Sequence, residues 1–454
     1  MTFKSINPTD GTVLATFDEL SPKEIEQKLE RAHAAFKEWR GSSFEDRAAA
    51  LRKAAEILVS EKEAWARLMT LEMGKPFKQG VAEVDKCAST CRYFADNGSR
   101  ILADQPIATE SDSKLRYLPL GILLAVMPWN FPFWQVFRCL APAVMAGNGM
   151  VLKHASNVPQ CGLAIEDIMQ RSGLPQGVFT TLLIGSSKVA DVIRDPRIAA
   201  VTLTGSEGAG ASVGAAAGAA LKKCVLELGG NDPFIVLPTA DIDKAVATGV
   251  QARVVNNGQS CVCAKRFIVH RDVYDAFADK FIGAMESLVI GDPMEDATQI
   301  GPLATEDGAQ TIERQVNESI AGGARALTGG APNSRNGNFY TPTVLADVPS
   351  DVPAYREELF GPVAVLMRAE NFDHAIELAN DTPFGLGSSV WTQEPLEQQR
   401  CMNEIEAGLT FFNAMVASDP RLPFGGTKLS GYGRELGELG AREFTNVKTI
   451  VTAK

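Results

Sequence analysis

The amino-acid sequence predicts an α/β fold with two doubly wound α/β units and a small β element. Short β-rich runs alternate with helical patterns between Ile122 and Val236, as they do in βαβ units with a parallel sheet. The alternation resumes beyond Asp241, which indicates a second unit of the same class. A polar, extended segment that follows Ile101 is too short to have a core of its own, and it predicts the separate β element.

The first hundred residues are helical in pattern. Ser21 and Glu24 have the spacing of a capping box, and the residues that follow place apolar side chains on one helical face. A second helical pattern opens near Ser43 and continues to the helix-breaking segment 74–76. The sequence therefore predicts a helical start to the chain.

The β-rich runs define the predicted strands of the two units. Before residue 240 they are 122–126, 150–152, 179–184, 199–203, 223–226 and 234–236. Beyond it they are 267–269, 363–366 and 388–391.

The apolar stretch 117–137 is nearly long enough to cross a bilayer, but Pro119, Pro128 and Pro132 interrupt it. We therefore predict a buried strand followed by an irregular turn, and no membrane as a partner.

The composition excludes several classes of protein. The chain has 454 residues, of which 45% are hydrophobic and 22% charged, so a disordered tail, a fibre and a small disulfide scaffold are excluded. The formal net charge of -11 argues against nucleic acid as a partner, and any anionic ligand must be bound by local Lys or Arg. Eight irregularly spaced cysteines suit reduced thiols, and no signal or transit peptide is visible at the start, so we expect a cytoplasmic protein.

Cys261 is the candidate nucleophile. It lies in the glycine-containing segment NNGQSCVC, where a backbone amide can point at a bound oxyanion. None of the four histidines sits in a catalytic motif or at metal-ligand spacing, so we predict no metal, and the candidate base is Glu227 at the end of a hydrophobic strand. Asn130 in PWNFP can donate to a developing negative oxygen. Taken singly, these residues are also compatible with a buried thiol, a strand-end charge and a turn asparagine.

Three glycines mark candidate phosphate-binding turns. Gly185, Gly205 and Gly210 lie at predicted strand-to-helix junctions, where a helix N-terminus can accept dinucleotide phosphates. Their spacing departs from GxGxxG, and glycine also simply ends strands, so this signal is weak by itself.

Seven motifs along the chain together resemble the NAD(P)-dependent aldehyde dehydrogenase superfamily. In order they are PWNFP, LKHAS, LTGSEGAG, ELGGNDP, NNGQSC, EELFGPV and LPFGGTKLSGYGRE. The resemblance covers almost the whole chain, and the 34-residue separation of Glu227 and Cys261 agrees with the superfamily's pattern.

The resemblance implies an aldehyde dehydrogenase-like fold. It places a Rossmann-type cofactor-binding domain at 1–100, 120–229 and 430–444, a catalytic domain at 230–429, and an oligomerisation element at 101–119 and 445–454. The extended arm and a C-terminal strand at 447–451 lack a core of their own. We therefore expect them to pair across subunits in a homodimer or homotetramer.

The resemblance also implies a role for each candidate residue. Cys261 attacks the aldehyde, Asn130 and the Cys261 backbone amide bind the oxyanion, and hydride passes to the nicotinamide. Glu227 then activates the water that hydrolyses the thioester to a carboxylic acid. The residues implied at the cofactor are Trp129, Lys153, Ser156, Gly185, Gly205, Ser206, Gly210, Leu228, Glu358 and Phe360.

Ser156 bears on the choice of cofactor. Members of the superfamily that prefer NAD commonly have a glutamate three residues after the ribose-binding lysine, and here Ser156 stands three residues after Lys153. A carboxylate would repel a 2′-phosphate, whereas a hydroxyl can donate to it, so we predict a preference for NADP, with NAD also possible. The alternative is that Ser156 is merely small and permissive.

Within the superfamily the chain most resembles microbial succinic semialdehyde dehydrogenases, which implies a small aldehyde that carries a carboxylate. Arg138 stands where those enzymes have a substrate-carboxylate arginine, and Ser418 in the entrance segment could add a hydrogen bond. Val255 stands where many of them have a further arginine. The alternatives are a structural ion pair for Arg138 and an aliphatic or aromatic aldehyde as substrate.

Two further hypotheses concern Cys263 and the class of activity. Cys263 is two residues from the nucleophile and could form an inhibitory disulfide with it, or be a buried spectator. A cysteine hydrolase or thioesterase would use Cys261 and Glu227 but would leave the cofactor motifs unexplained. A silent dinucleotide-binding relative would be expected to lack one of those two residues.

Overall fold

The computed structural model describes residues 2–453, and helices alternate with strands along most of this range. Two short 3-10 segments, Ser186–Lys188 and Val255–Gly258, supplement the α-helices. In chain order the helices are α1 (Pro22–Trp39), α2 (Phe44–Ser60), α3 (Lys62–Met73), α4 (Phe77–Ile101), α5 (Trp134–Met145), α6 (Pro159–Arg171), α7 (Val189–Arg194), α8 (Glu207–Ala219), α9 (Ile242–Val254), α10 (Tyr274–Glu286), α11 (Glu306–Ala321), α12 (Pro353–Arg356), α13 (Phe372–Asn380), α14 (Pro395–Glu404) and α15 (Gly437–Glu443).

The strands form two large sheets and three smaller ones. In chain order they are β1 (Thr2–Ile6), β2 (Val13–Asp18), β3 (Gln105–Ala108), β4 (Asp112–Pro119), β5 (Ile122–Val126), β6 (Gly149–Lys153), β7 (Phe179–Thr181), β8 (Ile198–Thr204), β9 (Lys223–Glu227), β10 (Asp232–Val236), β11 (Ala264–His270), β12 (Arg325–Thr328), β13 (Thr343–Ala346), β14 (Val363–Ala369), β15 (Phe384–Gly385), β16 (Gly387–Trp391), β17 (Leu409–Phe412), β18 (Thr427–Lys428), β19 (Gly431–Tyr432) and β20 (Thr445–Thr452).

The first large sheet has the strand order β19-β9-β8-β5-β6-β7. Its strands from β9 to β7 run parallel, and β19 is an antiparallel edge. Successive residues of β5 point to opposite faces: Leu123 packs into the core beside α2, α4 and α5, and Leu124 into the core beside α1, α7 and α8. Helices therefore cover both faces, as a doubly wound parallel sheet requires.

The second large sheet has the order β12-β13-β14-β11-β10-β16-β17. It is parallel apart from the antiparallel edge strand β12. Phe234 and Val236 of β10 pack on the core under α9 and α10, and Ile235 packs on the core under α11, α13 and α14. The predicted α/β fold with two doubly wound units is confirmed, although the domain boundaries and the oligomeric role of the third segment stay predictions.

A three-stranded antiparallel sheet in the order β20-β4-β3 forms the small β element. The expected C-terminal strand is present, but it pairs with β4 of the same chain over the whole length of both strands. The other edge of β20 has no neighbouring strand within residues 2–453, so the expected pairing across subunits stays a prediction. The outer face of this sheet keeps apolar side chains in solvent, with Val447 50% and Val451 59% exposed.

The sequence-based elements need a few corrections. The capping box at Ser21 and the helix that follows it are present. The first hundred residues also contain the β1–β2 hairpin, and the second helical pattern is divided at Glu61 into α2 and α3. The strand predicted at 179–184 ends at Thr181, and β12, β13 and β17 were not predicted. In residues 2–453 we find no helix whose length and hydropathy would let it cross a membrane.

A buried ion pair ties α4 to the segment that carries Asn130. Glu83 of α4 accepts hydrogen bonds from the backbone N–H groups of Phe133 and Trp134, at 3.0 and 2.8 Å. Its other oxygen pairs with the fully buried Lys75, whose ammonium lies 4.1 Å from the centroid of the Phe131 ring. The carboxylate thus joins α4, the start of α5 and the helix-breaking turn at residues 74–76.

The Lys75–Glu83 pair leads to a stability prediction. We expect Lys75→Met to lower the free energy of unfolding by about 3 to 5 kcal/mol, because it leaves a buried carboxylate without its counter-ion. The matched control is Lys62→Met, which removes the half-exposed pair with Asp85 and should cost less than about 1 kcal/mol. Urea unfolding of both variants checks the difference, and equal midpoints would contradict the prediction.

Candidate active site

A cavity of about 630 Å³ lies beside Cys261, between three helices and the segment 415–418. Helix α4 adds Lys78 at the cavity mouth, and α4 and α9 each present four further residues to the cavity at the i, i+3, i+4, i+7 spacing of one helical face. These residues are Gln79, Ala82, Glu83 and Lys86 of α4, and Ala247, Val250, Gln251 and Val254 of α9. The third helix, α5, contributes Trp134, Gln135 and Arg138.

The turn that precedes Cys261 is held in a left-handed conformation. Asn256 and Asn257 have φ values of 55° and 59°, and the side chain of Asn257 donates to the carbonyls of Gly74 and Pro302. Gly258, at φ +78°, closely approaches another segment, because a Cβ there would lie 2.3 Å from the Gly361 carbonyl oxygen. The turn therefore fixes Cys261 against the EELFGPV segment.

Asn130 is brought to the nucleophile loop, as predicted from its motif. Its Nδ2 donates to the Gln259 carbonyl at 3.2 Å, and its own carbonyl accepts from Asn256 Nδ2 at 2.6 Å. An amide nitrogen carries two N–H groups, so the second remains for a ligand oxygen. The buried Asn130 is thus oriented by backbone contacts on the loop that ends at Cys261.

The Cys261 thiol is half-buried, and burial raises its pKa to about 12 even though the Arg138 and Lys265 cations act in the opposite direction. Lys265 Nζ donates to the carbonyls of Ser260 and Cys261 at 2.9 and 2.5 Å and pairs with Glu358 at 2.9 Å. One lysine thus connects the nucleophile loop to a predicted cofactor residue. Nothing in the sequence patterns distinguished Lys265.

Glu227 ends β9 as a buried carboxylate, and neither of its oxygens has a hydrogen-bond partner within residues 2–453. Burial raises its pKa well above the usual value, the Arg138 charge opposes this rise, and the neighbouring Glu435 reinforces it. A Cβ on Gly425 would lie 2.7 Å from Glu227 Oε1, so a glycine is needed where that backbone passes the carboxylate. These surroundings disfavour the ionised form of Glu227 and make it a stronger base than an exposed carboxylate.

Arg138 lines the cavity, but it is also the buried counter-ion of Glu435. It donates to Thr204 Oγ1 at 3.1 Å, and its guanidinium lies 4.6 Å from the centroid of the Phe424 ring. The structural ion pair considered from the sequence is therefore present, on a residue that still borders the cavity. Glu435 is the last residue of LPFGGTKLSGYGRE, a motif that included it without suggesting a partner.

Ser418 also borders the cavity, where its Oγ accepts a hydrogen bond from Lys86 Nζ at 2.6 Å. Lys86 was not predicted from the sequence, because one lysine on a long polar helix carries no signal. Cys263 points away from the cavity: it is fully buried, and its Sγ donates to the Val255 carbonyl at 3.7 Å. Both thiols are free, and the Cys261–Cys263 disulfide stays a prediction.

The predicted cofactor residues cluster where the first sheet meets the nucleophile loop. Gly205 follows β8, and Ser206 caps α8, with its Oγ accepting from Ala209 N at 3.4 Å. Gly210 packs against the buried Leu228, since a Cβ there would come within 2.6 Å of the leucine side chain. Gly205 donates its N–H to the Glu227 carbonyl at 3.0 Å, which brings this turn to the candidate base.

The remaining cofactor residues lie at other turns of the same region. Lys153 ends β6, has no carboxylate partner in the described chain, and is followed by the exposed Ser156. Trp129 and Phe360 are in edge-to-face contact with ring centroids 5.7 Å apart. Gly185 precedes a 3-10 turn and donates its N–H to Glu19 Oε1 at 2.8 Å, so that donor is engaged within the chain.

The fold and this site define the class of protein: residues 1–450 match the model of the aldehyde dehydrogenase family. The chain is 53% identical to the probable NADP-dependent succinate-semialdehyde dehydrogenase of Synechocystis sp., over 99% of both chains. It is 52% identical to the succinate-semialdehyde dehydrogenase [NADP(+)] of Mycolicibacterium paratuberculosis, over 99% of this chain and 96% of that protein. A solved structure of the Streptococcus pyogenes succinic semialdehyde dehydrogenase with NADP+ superimposes with a TM-score of 0.97 at 38% identity and full coverage of both chains. This chain belongs to the aldehyde dehydrogenase family.

The raised pKa of Cys261 leads to a prediction on its reactivity. Iodoacetamide alkylates the thiolate, and a pKa near 12 leaves that form scarce at neutral pH. In the cofactor-free protein we expect the alkylation rate of Cys261 to rise about tenfold for each unit between pH 7 and pH 10, without a plateau. Peptide mass spectrometry follows Cys261 itself, with Cys261→Ser as the control. A plateau near pH 8 would contradict the prediction.

Proposed function

We propose that this protein oxidises succinic semialdehyde to succinate with NADP+ as the hydride acceptor. The observation that carries the proposal is a cavity that joins the Cys261 thiol to the cationic side chains of Arg138 and Lys86 and to the Ser418 hydroxyl. A thiol suits an aldehyde carbon, and cations with a hydroxyl suit a carboxylate at the other end of a short substrate. The names of the relatives described above support the same substrate and cofactor.

The chain's residues divide the reaction between two steps at Cys261. In the first step the Cys261 thiolate, formed when the thiol proton is lost to solvent, adds to the aldehyde carbon, and the free N–H of Asn130 with the Cys261 backbone N–H binds the oxyanion of the thiohemiacetal. NADP+ supplies the acceptor for the hydride that leaves this carbon. In the second step Glu227 takes a proton from water, which attacks the thioester and releases the carboxylate product.

The donor set of the first sheet fits a dinucleotide with a 2′-phosphate. Lys153 is a cation without a carboxylate partner within residues 2–453, and the hydroxyl of Ser156 stands three residues further on. Ser206 begins α8, so the first-turn N–H groups of that helix suit the pyrophosphate. Trp129, Glu358 and Phe360 would hold the nicotinamide half, and Gly229 lies beside the Glu358 carboxylate, where a Cβ would come within 2.6 Å of Oε2.

We also propose a homodimer or homotetramer that works in the cytoplasm. The three-stranded sheet exposes Val447, Val451 and Ile107, which are apolar side chains that a second subunit could cover. All eight cysteines are free, which suits a reducing compartment.

Initial rates test the proposed function. We expect kcat/KM for succinic semialdehyde with NADP+ to exceed that for pentanal, an uncharged aldehyde of similar length, by at least about tenfold. Absorbance of the reduced cofactor gives the rates, with NAD+ measured in parallel and Cys261→Ser as the inactive control. Equal values for the two aldehydes would remove the proposed substrate, and no turnover of either would remove the activity.

Ser156 gives a separate prediction for the cofactor. Ser156→Glu should lower kcat/KM for NADP+ by at least about tenfold, because its carboxylate would repel the 2′-phosphate and compete for Lys153. The value for NAD+ should stay constant or rise. Ser156→Ala, which removes the hydroxyl without adding charge, should have the smaller effect. Equal losses for the two cofactors in Ser156→Glu would contradict the prediction.

A further inference from the structure

Most of the charged side chains that border the cavity already have a partner of opposite charge. Glu83 pairs with Lys75, and Arg138 pairs with Glu435. At the mouth of the cavity Lys78 lies 3.5 Å from Asp296, in an exposed pair. These groups therefore add little net charge for an anionic ligand.

Lys86 is the exception among the described residues, because no carboxylate lies within ion-pair distance of its ammonium group. The half-buried ammonium donates to Ser418 Oγ at 2.6 Å and lies 4.3 Å from the centroid of the Trp134 ring. The nearby Asp419 is already paired with Arg421. A cation in a partly apolar cavity, satisfied by a hydroxyl and an aromatic face, is suited to an anionic ligand.

We infer that Lys86 binds the substrate carboxylate together with Ser418 and so makes the cavity selective for an acidic aldehyde. This inference rests on the proposed function and adds to it the residue that supplies the uncompensated charge. Arg138 keeps its ion pair with Glu435. It can still donate hydrogen bonds at the same wall of the cavity, but the Arg138–Glu435 pair as a whole carries no net charge.

The contact between Lys86 and Ser418 prepares both groups for this role. Ser418 Oγ accepts from the ammonium, so the hydroxyl hydrogen points elsewhere and is available to a carboxylate oxygen. An ammonium has three N–H groups, and the others remain for the same ligand. The two donors belong to α4 and to the segment 415–418, and their hydrogen bond brings them to the same part of the cavity wall.

The surroundings of Lys86 add a pH-dependent signature. Burial, assisted by the Arg138 charge, lowers the pKa of Lys86 to about 8, although Cys87, Glu83 and Asp419 act in the opposite direction. The ammonium of the free enzyme is therefore lost as pH rises through about 8. We expect KM for succinic semialdehyde to rise above that pH. KM for pentanal, which has no carboxylate, should not show this rise.

Charge removal at Lys86 tests the inference. Lys86→Met should lower kcat/KM for succinic semialdehyde by about 10- to 100-fold, mostly through KM, and leave pentanal turnover within about twofold. Inhibition of pentanal turnover by succinate should weaken by a similar factor. Lys86→Arg, which keeps the charge, should recover much of the loss. The matched control is Lys62→Met, a surface lysine outside the cavity, which should change neither substrate.

The possible outcomes separate this inference from the proposed function. If the parent prefers succinic semialdehyde and Lys86→Met retains that preference, Lys86 does not bind the carboxylate and the proposed function stands. If the parent shows no preference, the proposed function fails first. Equal losses with both aldehydes in Lys86→Met and in Lys86→Gln would indicate a structural role and would overturn the inference.

Discussion

The contacts of the buried Glu83 carboxylate determine how the walls of the cavity meet. Helix α5 has no side-chain N-cap of its own, and Glu83 accepts two of the backbone N–H groups that its first turn leaves unpaired. The same carboxylate neutralises Lys75 at the start of the adjacent turn. Because one group satisfies both, the start of α5 cannot move relative to α4 without exposing an unpaired charge. The residues that face the cavity one turn further on, Lys86 and Arg138, are positioned by this contact.

The two candidate reacting groups of the site share one electrostatic environment. Burial raises the pKa of both Cys261 and Glu227, and the Arg138 cation opposes that rise for each of them. An arginine keeps its charge at any physiological pH, so its effect on the two groups is constant. Glu435 in turn compensates Arg138 and prevents a large net positive charge beside the thiol. The Arg138–Glu435 pair therefore adjusts the pKa of Cys261 and of Glu227 while the pair itself stays neutral.

The parts of this molecule that the sequence predicted are those determined by local pattern or by motif. Buried parallel strands such as Ile122–Val126 are continuous apolar runs, and most of these were located within one or two residues, whereas one end of the strands predicted at 179–184, 267–269 and 363–366 was misplaced by three. The half-exposed hairpin of β1 and β2 has mixed polarity and no such run, so the adjoining helical pattern obscured it. At the site, the motif order predicted that Asn130 and the Cys261 loop meet. It could not predict that Arg138 pairs with Glu435, because nearly 300 residues separate them along the chain.

The cavity has an arginine and a lysine, and the two cations have different kinds of partner. Arg138 has a permanent partner within the protein, whereas the proposed partner of Lys86 is a substrate that is bound only temporarily. Arg138 is fully buried, and a planar guanidinium can satisfy Glu435 and Thr204 together in a fixed geometry. A substrate carboxylate is bound only temporarily. The cation that binds it must therefore be stable inside the protein when no substrate is present. Lys86 meets this condition because Ser418 and the Trp134 ring stabilise its ammonium. Partial burial lowers the pKa of Lys86, so the ammonium loses its proton at a lower pH than an exposed lysine does. With a pKa of about 8 the ammonium is still mostly protonated at neutral pH, so it can attract a substrate that carries an anion and offers no such attraction to an uncharged aldehyde.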